Sequence, residues 1–290
     1  SWSTRAAAPG GIGNAGTGSA LAYPGSGNYI YALRDGNTTS FYRYDIVNDT
    51  WATMTAVPLA VSRGSLFSSG FGNYLYAYRG NASNTLYRYS ISGNSWTEIT
   101  NLPEVTGNGH AVAVDSGTYA YVTTGQGDTS FYRYEFNNDG GWTLMGALPS
   151  GGVTSGAASV HTNDDYIYVT RGGGVTVGKP IYRYSLTNNS WNNTLADLPG
   201  GTWNGASLVF PYVASGDYIY ALRGDTTTDF YRYQISTNQW TSKAVVPAAV
   251  ESGGSLAYPG SGDYAYALGG NFTNAFYRYS ISGDAWSTRA

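Results

Sequence analysis

Hydrophobic and polar side chains alternate along short runs of this chain, and turn-forming Gly, Asn, Asp or Ser residues separate the runs. The stretch 205–246 shows the pattern clearly, with runs at 205–210, 218–223, 230–235 and 240–241. Alternation with a period of two, bounded by turn residues, predicts β-strands. We therefore expect four short antiparallel strands in this stretch. Helical periodicity interrupts the pattern nowhere in the chain.

The same unit of four runs recurs six times. Each copy contains Phe, Leu or Ile followed by Tyr-Arg-Tyr, and a tryptophan follows roughly seven residues later. The central arginines are Arg43, Arg88, Arg133, Arg183, Arg232 and Arg278, so the spacing is 45, 45, 50, 49 and 46 residues. A period in this range indicates a repeat array. Because a single four-stranded sheet cannot bury both of its faces, radial packing of six such sheets is favoured.

We therefore predict an all-β fold, a six-bladed β-propeller of four-stranded antiparallel blades that forms one domain over residues 1–290. The predicted blades are 18–57, 64–102, 109–148, 156–198, 205–246 and 254–290. Residues 1–17 are predicted to hold an extra segment that resembles an outermost strand, with its linker.

The repeats resemble those of the kelch family. The resemblance covers essentially the whole chain, and the residues that carry it best are Tyr44, Asp45 and Trp51 in the first repeat and Gly269, Gly270, Tyr279 and Trp286 in the last. Elsewhere the double glycine is often Arg-Gly, and the Asp after Tyr is usually Ser, Glu or Gln. The resemblance implies a propeller. The copper enzymes built on kelch-type propellers need a modified cysteine, which this sequence lacks, so we expect no cofactor.

Aromatic side chains are predicted to join the blades. The six tryptophans of the outermost strands, each burying roughly 150–250 Å², should pack between neighbouring blades; they are Trp51, Trp96, Trp142, Trp191, Trp240 and Trp286. The arginine of each Tyr-Arg-Tyr points away from its flanking tyrosines. We expect its planar guanidinium to stack on an aromatic ring of the next blade.

One outermost strand is supernumerary. The chain begins Ser1-Trp2-Ser3-Thr4-Arg5-Ala6 and ends with nearly the same residues, 285–290, although a propeller has one such position per blade. Three interpretations stay open. The Trp2 segment is a tail packed on the same molecule, or it completes a neighbouring molecule by strand addition, or the 290 residues are one unit of a longer tandem array. The last two both give an extended assembly.

Composition excludes several function classes. The net charge is -3 and only 11% of residues are charged, so a nucleic-acid partner is not expected. No run of apolar residues is long enough to cross a membrane. The chain has no cysteine, which excludes disulfides and thiolate metal sites. Lys179 and Lys243 are its only lysines, and this Thr-, Ser-, Asn- and Tyr-rich, Lys-poor composition favours an extracellular location.

Catalytic signatures are sparse. The two histidines, His110 and His161, occupy related positions in innermost strands, and we interpret them as inward-facing structural residues and not as a metal site. Glu104 and Glu251 lie in connections between blades; suitably spaced carboxylates could serve glycoside hydrolysis, but nothing in the sequence brings them together. We predict no metal, no catalytic residues and no enzyme activity.

Short motifs add little by themselves. Arg223-Gly224-Asp225 spells an integrin-type tripeptide, but Arg-Gly is the repeat's own ending and only the Asp is new. Acceptor sites for N-glycosylation occur six times, at Asn37, Asn48, Asn81, Asn188, Asn192 and Asn271. Because most of them fall in predicted loops, we interpret them as candidate modification sites of a secreted protein.

Trp203 is the tryptophan that departs most clearly from the repeat. It lies in the loop between the fourth and fifth blades, where an exposed aromatic ring suits stacking on a sugar. Arg63, Asn108 and Asn204, at related positions in the ring, would supply hydrogen bonds. The alternative is a tryptophan that closes the mouth of the channel.

The blades are nearly equivalent, and the first and sixth repeats almost identical, which suits a scaffold better than a single asymmetric active site. We therefore predict a non-enzymatic extracellular structural or adhesive protein that assembles with copies of itself through terminal strand exchange or tandem linkage. The first alternative is a multivalent carbohydrate-binding lectin. A glycan-active enzyme and an intracellular kelch-type domain that binds partner proteins are less favoured.

Overall fold

A computed structural model describes residue 9 and residues 19–34, 36–70, 72–80, 82–115, 117–136, 141–173, 180–211, 216–270 and 273–289. The described residues form 24 strands. In chain order these are β1 (Ala20–Ala22), β2 (Tyr29–Leu33), β3 (Phe41–Asp45), β4 (Thr50–Thr53), β5 (Ser65–Ser68), β6 (Tyr74–Tyr78), β7 (Leu86–Ser90), β8 (Ser95–Ile99), β9 (Ala111–Val114), β10 (Tyr119–Thr123), β11 (Phe131–Glu135), β12 (Gly141–Leu144), β13 (Ala158–His161), β14 (Tyr166–Thr170), β15 (Ile181–Ser185), β16 (Ser190–Asn192), β17 (Ser207–Val209), β18 (Tyr218–Leu222), β19 (Phe230–Gln234), β20 (Gln239–Ser242), β21 (Ser255–Ala257), β22 (Tyr264–Leu268), β23 (Phe276–Ser280) and β24 (Ala285–Arg289).

Six separate sheets contain these strands, four consecutive strands to each sheet. Every sheet is an antiparallel meander in chain order, from β1-β2-β3-β4 to β21-β22-β23-β24. The first strands of the six sheets contact one another in cyclic order, and the contact between β1 and β21 closes the ring. The predicted all-β six-bladed propeller is therefore confirmed, with the first strand of each blade innermost and the fourth outermost.

The hydrophobic core is divided among the six interfaces between blades. Each apolar cluster combines side chains of two neighbouring blades, including the closing pair, where Tyr44 of the first blade packs with Tyr266 and Phe276 of the last. Phe276 meets the Tyr44 ring edge-on, with ring centroids 5.0 Å apart. Since the apolar faces of a blade are buried only against its neighbours, the ring stabilises every blade it contains.

An interblade clamp ties outermost strands to the blade before them, and the fifth blade shows all of its hydrogen bonds. The indole Nε1 of Trp240 donates to the backbone carbonyl of Ala196 at 3.0 Å, and the N–H of the same Ala196 donates to Asn238 Oδ1 at 2.7 Å. Asn238 also accepts the hydroxyl of Tyr233 at 2.8 Å. One Trp and one Asn therefore satisfy both backbone groups of a single residue in the preceding blade.

The clamp recurs around the ring with the same geometry. Trp96 with Asn94, Trp191 with Asn189, and Trp286 with Asp284 hold Thr55, Gly146 and Ala244 in the same way. The turn residue has a positive φ in each case, for example 55° at Asn238, a conformation that Asn and Asp tolerate better than most residues. Trp142 donates to the Thr100 carbonyl at 3.1 Å, although its preceding turn, 137–140, lies outside the described residues.

Each Tyr-Arg-Tyr arginine stacks within its own blade, so our prediction that it reaches the next blade was wrong. The guanidinium carbon of Arg43 lies 4.1 Å from the ring centroid of Tyr29 in the second strand of the same blade, and the other five arginines do the same. The strand register explains the difference. Arg43 pairs with Tyr31, which makes Tyr29 the diagonal neighbour on that face, within reach of a long side chain.

The first prediction concerns the clamp. Trp240→Phe keeps an aromatic ring but removes the indole N–H, so we expect a loss of about 1 kcal/mol in the free energy of unfolding. Asn238→Ala removes two hydrogen bonds and should cost more, about 1–3 kcal/mol, because the Ala196 N–H loses its acceptor. Urea unfolding followed by tryptophan fluorescence measures both. Trp203→Phe, outside any clamp, is the matched control, and an equal loss in that variant would contradict the role of the clamp.

Candidate functional site

A polar cavity of about 190 Å³ lies at one mouth of the central channel. All six blades contribute to its lining through the residues that lead into their innermost strands; one from each blade is Ser19, Arg63, Asn108, Ser155, Asn204 and Ser252. It is smaller than the roughly 300–1,000 Å³ of pockets that hold drug-sized ligands. The cavity therefore suits a single small polar group.

The connections between blades place these residues by a repeated turn. The N–H of Trp203 donates to the carbonyl of Arg223, just past the second strand of its blade, and its own carbonyl accepts the N–H of Ala206. Gly205 follows with a φ of +85°, and a Cβ there would lie 1.9 Å from the carbonyl oxygen of Glu251 in the next connection. Neighbouring turns thus pack backbone against backbone around the axis, which requires glycine.

The repeats diverge in sequence where these turns begin. Ser62, Gly107, Thr154, Trp203 and Glu251 make the same backbone hydrogen bond, with N···O distances of 2.8–3.2 Å. Their side chains differ in size, polarity and charge. A ring of equivalent backbone positions therefore carries chemically distinct groups at this mouth.

Three of the four predicted binding residues meet here. Arg63, Asn108 and Asn204 line the cavity, and the Oδ1 of Asn108 is buried without a hydrogen-bond partner in the described part of the chain. Trp203 does not line the cavity; it adjoins Asn204 at the rim, with 37% of its surface exposed, and its backbone lies over Gly156.

Sequence reasoning missed a serine–histidine pair in the same cavity. Ser65, at the start of β5, and His110, just before β9, lie on neighbouring blades, with Ser65 Oγ 2.8 Å from His110 Nε2. His110 Nδ1 lies 3.1 Å from the carbonyl oxygen of Gly107. Because a carbonyl only accepts, Nδ1 carries the hydrogen, and Nε2 accepts the serine hydroxyl. Only the residue type of His110 signalled this pair in the sequence.

Burial lowers the pKa of His110, and the hydrogen bond to Gly107 opposes this shift only in part. The ring of Tyr78 lies edge-on with its centroid 6.2 Å away, and Arg63 is the charged side chain that lines the same cavity. His110 is therefore neutral at physiological pH.

His161 is not equivalent to His110, contrary to the related positions assigned from the sequence. It is the last residue of β13, at the opposite end of an innermost strand, with Nε2 3.0 Å from the carbonyl oxygen of Asp164. The two histidines therefore cannot share a metal ion. Within the described ranges, no three His, Cys, Asp or Glu side chains come together in a metal-binding group.

The two candidate carboxylates lie on opposite sides of the ring. Glu104 belongs to the connection between the second and third blades, where Oε1 accepts the hydroxyl of Tyr132 at 2.8 Å. Burial and this contact raise the pKa of Tyr132 to about 12. Glu251 belongs to the connection between the fifth and sixth blades, three blades away. The pair is therefore not arranged for glycoside hydrolysis.

The arginine of the Arg-Gly-Asp sequence forms ion pairs within its own blade. Arg223 contacts Asp229 at 2.9 Å and Asp225 at 3.4 Å, and its Nε donates to the carbonyl of Gly201. The tripeptide is thus part of a local network in which its own Asp and Arg pair.

Three of the six predicted glycosylation sites are exposed in the described residues. Asn37 lies between β2 and β3, Asn48 between β3 and β4, and Asn188 between β15 and β16, all exposed. Asn192, at the end of β16, is half-buried, and its Oδ1 accepts hydrogen bonds from Thr194. Asn81 and Asn271 lie outside the described residues, as do Trp2, Ser3, Thr4 and Arg5 of the predicted assembly strand.

Comparison with known proteins supports the fold. No family model matches the chain, and no curated protein matches it. The solved structure of YjhT superposes with a TM-score of 0.75 at 14% sequence identity, over 99% of this chain and 100% of that one. The chain thus has the fold of a six-bladed β-propeller, and membership of the kelch family stays a prediction. No helix in the described residues is long and apolar enough to cross a membrane.

The second prediction concerns pH. The pKa of His110 is lower in the folded state than its ordinary value of 6.5. Below pH 6.5 the unfolded state therefore binds more protons, so stability is complete above that pH and falls as the pH drops toward the folded pKa. We expect the melting temperature to fall more between about pH 7.5 and about pH 5.5 for the native chain than for His110→Asn. Identical pH profiles for the two proteins would contradict the shift.

Proposed function

We propose that this protein is an extracellular structural or adhesive protein, and that its propellers join copies of themselves into an extended assembly. The observation that carries the proposal is the position of β24. This strand fills the outermost position of the last blade with the chain's own residues, pairing along β23 from Ala285 to Arg289. The indole of Trp286 completes the clamp on Ala244 at 2.9 Å.

A second copy of that strand exists in the sequence. Residues 1–6 and 285–290 differ only in their first member, Ser1 against Ala285. The N-terminal copy therefore offers the same tryptophan and the same backbone groups to a β23 edge. Each blade accepts one outermost strand, so the N-terminal copy would complete the last blade of another molecule by taking the place of that molecule's own β24. Repeated head-to-tail contacts of this kind build open filaments unless the rotation closes a ring.

In a tandem array, consecutive propellers are linked covalently in one chain instead of being joined by strand exchange. In a longer chain of such units, residues 1–6 would form the outermost strand of the preceding unit, at the position that residues 285–290 occupy in this one. Trp2 would then take the place of Trp286. Propellers would then follow one another in one chain, and the assembly would again be extended. In both versions the protein's partners are copies of itself.

Surface composition supports a location outside the cell. Charged residues make up 11% of the chain, and just two are lysines, so Ser, Thr, Asn and Tyr supply most of the polar surface. Asn37, Asn48 and Asn188 present acceptor sequences on exposed turns, where a glycan would not disturb the packing between blades.

The third prediction tests assembly through the N-terminal segment. We expect the full chain at neutral pH to form filaments visible by electron microscopy, and a chain lacking residues 1–7 to form single rings. Trp2→Ala should act like the truncation, because the donor strand then lacks the indole of the clamp. Ser1→Ala is the matched control, since it makes the donor strand identical to β24 and should preserve filaments. Single rings in every sample would refute strand exchange.

A second candidate function is carbohydrate binding at the channel mouth. Its specific support is the exposed ring of Trp203 at the rim of a cavity that Arg63, Asn108 and Asn204 line. Flat aromatic surfaces beside hydrogen-bonding side chains suit sugar rings, which have apolar faces and polar edges.

The fourth prediction separates this candidate from assembly. If the mouth binds glycans, Trp203→Ala should weaken binding at least tenfold, equivalent to about 1.4 kcal/mol, without changing filament formation. Glycan-array screening followed by calorimetry measures the loss. Trp240→Phe, whose indole lies in a clamp away from the mouth, serves as the control. Equal affinity of native protein and Trp203→Ala would exclude a site at this mouth that depends on Trp203.

A further inference from the structure

Three innermost strands begin with a serine, and one of these serines has a different hydrogen-bond partner from the other two. Ser65, Ser207 and Ser255 occupy equivalent positions, because each pairs with the last residue of the second strand in its blade. Ser207 Oγ accepts the N–H of Leu256, and Ser255 Oγ accepts the N–H of Leu21. These two hydroxyls thus join neighbouring blades through the backbone.

The hydroxyl of Ser65 forms a hydrogen bond with an imidazole instead of a backbone N–H. Its hydroxyl lies 2.8 Å from His110 Nε2, and His110 Nδ1 is held at 3.1 Å by the Gly107 carbonyl. An activated nucleophile has three parts: a hydroxyl, a neutral base within hydrogen-bond reach, and a third group that fixes the tautomer of the base. Ser65, His110 and the Gly107 carbonyl correspond to these parts. Both side chains are half-buried and line the cavity at the channel mouth.

We propose that Ser65 and His110 form a nucleophile–base pair that hydrolyses small acyl esters at the channel mouth. The lining is polar and the volume, about 190 Å³, is small, so the acyl group is short, such as acetyl. The amide of Asn108 lines the same cavity, and Asn amides commonly stabilise the oxyanion of acyl transfer. The low pKa of His110 keeps Nε2 free to accept the proton.

The reaction has two steps. Ser65 Oγ bonds to the carbonyl carbon as its proton passes to His110 Nε2, and the bond from that carbon to the leaving oxygen breaks while His110 returns the proton to that oxygen. Water then attacks the acyl-serine, gives one proton to Nε2 and releases the carboxylic acid, and Ser65 recovers its proton from His110. Ester and water become acid and alcohol, and no other reactant is needed.

This inference goes beyond the assembly proposal and does not depend on it, because the pair lies at the axis and β24 at the outer edge of the ring. It also opposes the prediction from sequence that the chain has no enzyme activity. Strand exchange and ester hydrolysis can therefore fail separately.

Labelling with a fluorophosphonate probe tests the nucleophile in the intact chain. We expect one probe per chain, bonded to Ser65 and located by peptide mass spectrometry. Ser65→Ala should lose the label, and His110→Asn should react at least about 100-fold more slowly. Ser207→Ala, the equivalent serine without a histidine partner, should react at the native rate. No label on the native chain, or a label at another residue, would overturn the proposal whether or not the variants fold.

The pH profile and the turnover complete the test. The labelling rate should rise with pH through the pKa of His110, and the rise should be absent in His110→Asn; a structural pair predicts no such dependence. Native protein should release nitrophenol from p-nitrophenyl acetate over many turnovers, and Ser65→Ala should not. One burst of nitrophenol without further release, or equal release by Ser65→Ala, would overturn the hydrolase.

Discussion

Five outermost tryptophans donate their indole N–H to a backbone carbonyl of the blade before them, and the attachment of neighbouring blades depends on such contacts. These are Trp96, Trp142, Trp191, Trp240 and Trp286. Every sheet is a contiguous meander of four strands, so in the described residues no strand passes from one blade to another. Outside the turns that pack together at the axis, blades therefore hold together through side chains. Trp240 and Asn238 bind both backbone groups of Ala196, and each such hydrogen bond contributes about 0.5–1.5 kcal/mol. Six apolar clusters between blades supply the rest.

Tyrosine suits this arrangement because it is apolar along its ring and polar at its tip. Tyr233 buries its ring between the fourth and fifth blades and donates its hydroxyl to the Asn of the clamp. Burial raises its pKa to about 12, so the hydroxyl stays protonated and remains a donor. A phenylalanine would fill the same space without this bond. The chain's 28 tyrosines are thus consistent with a ring joined by buried hydrogen bonds as well as by apolar contact.

The period of the sequence predicted the architecture, because turn residues and alternating runs are local signals. The stacking partner of Arg43 was missed because the partner depends on strand register, which the sequence pattern did not specify. Ser65 was missed for a related reason. Its relation to His110 spans 45 residues and exists only because two blades are neighbours at the axis. The related positions predicted for His110 and His161 were wrong because the two residues lie at opposite ends of equivalent strands. The strand register places His161 level with Val114, four positions beyond His110.

A ring of nearly equivalent blades limits where chemistry can arise. The clamps, the arginine–tyrosine stacks and the glycine turns recur and must be kept alike, because each blade packs against neighbours of the same shape. At the channel mouth this constraint applies to the backbone only, since Ser62, Gly107, Thr154, Trp203 and Glu251 share one hydrogen bond and no side-chain contact is common to them. Six chain segments also meet there at the shortest distance from the axis. Different side chains can therefore be brought together at the mouth without disturbing the packing that holds the blades.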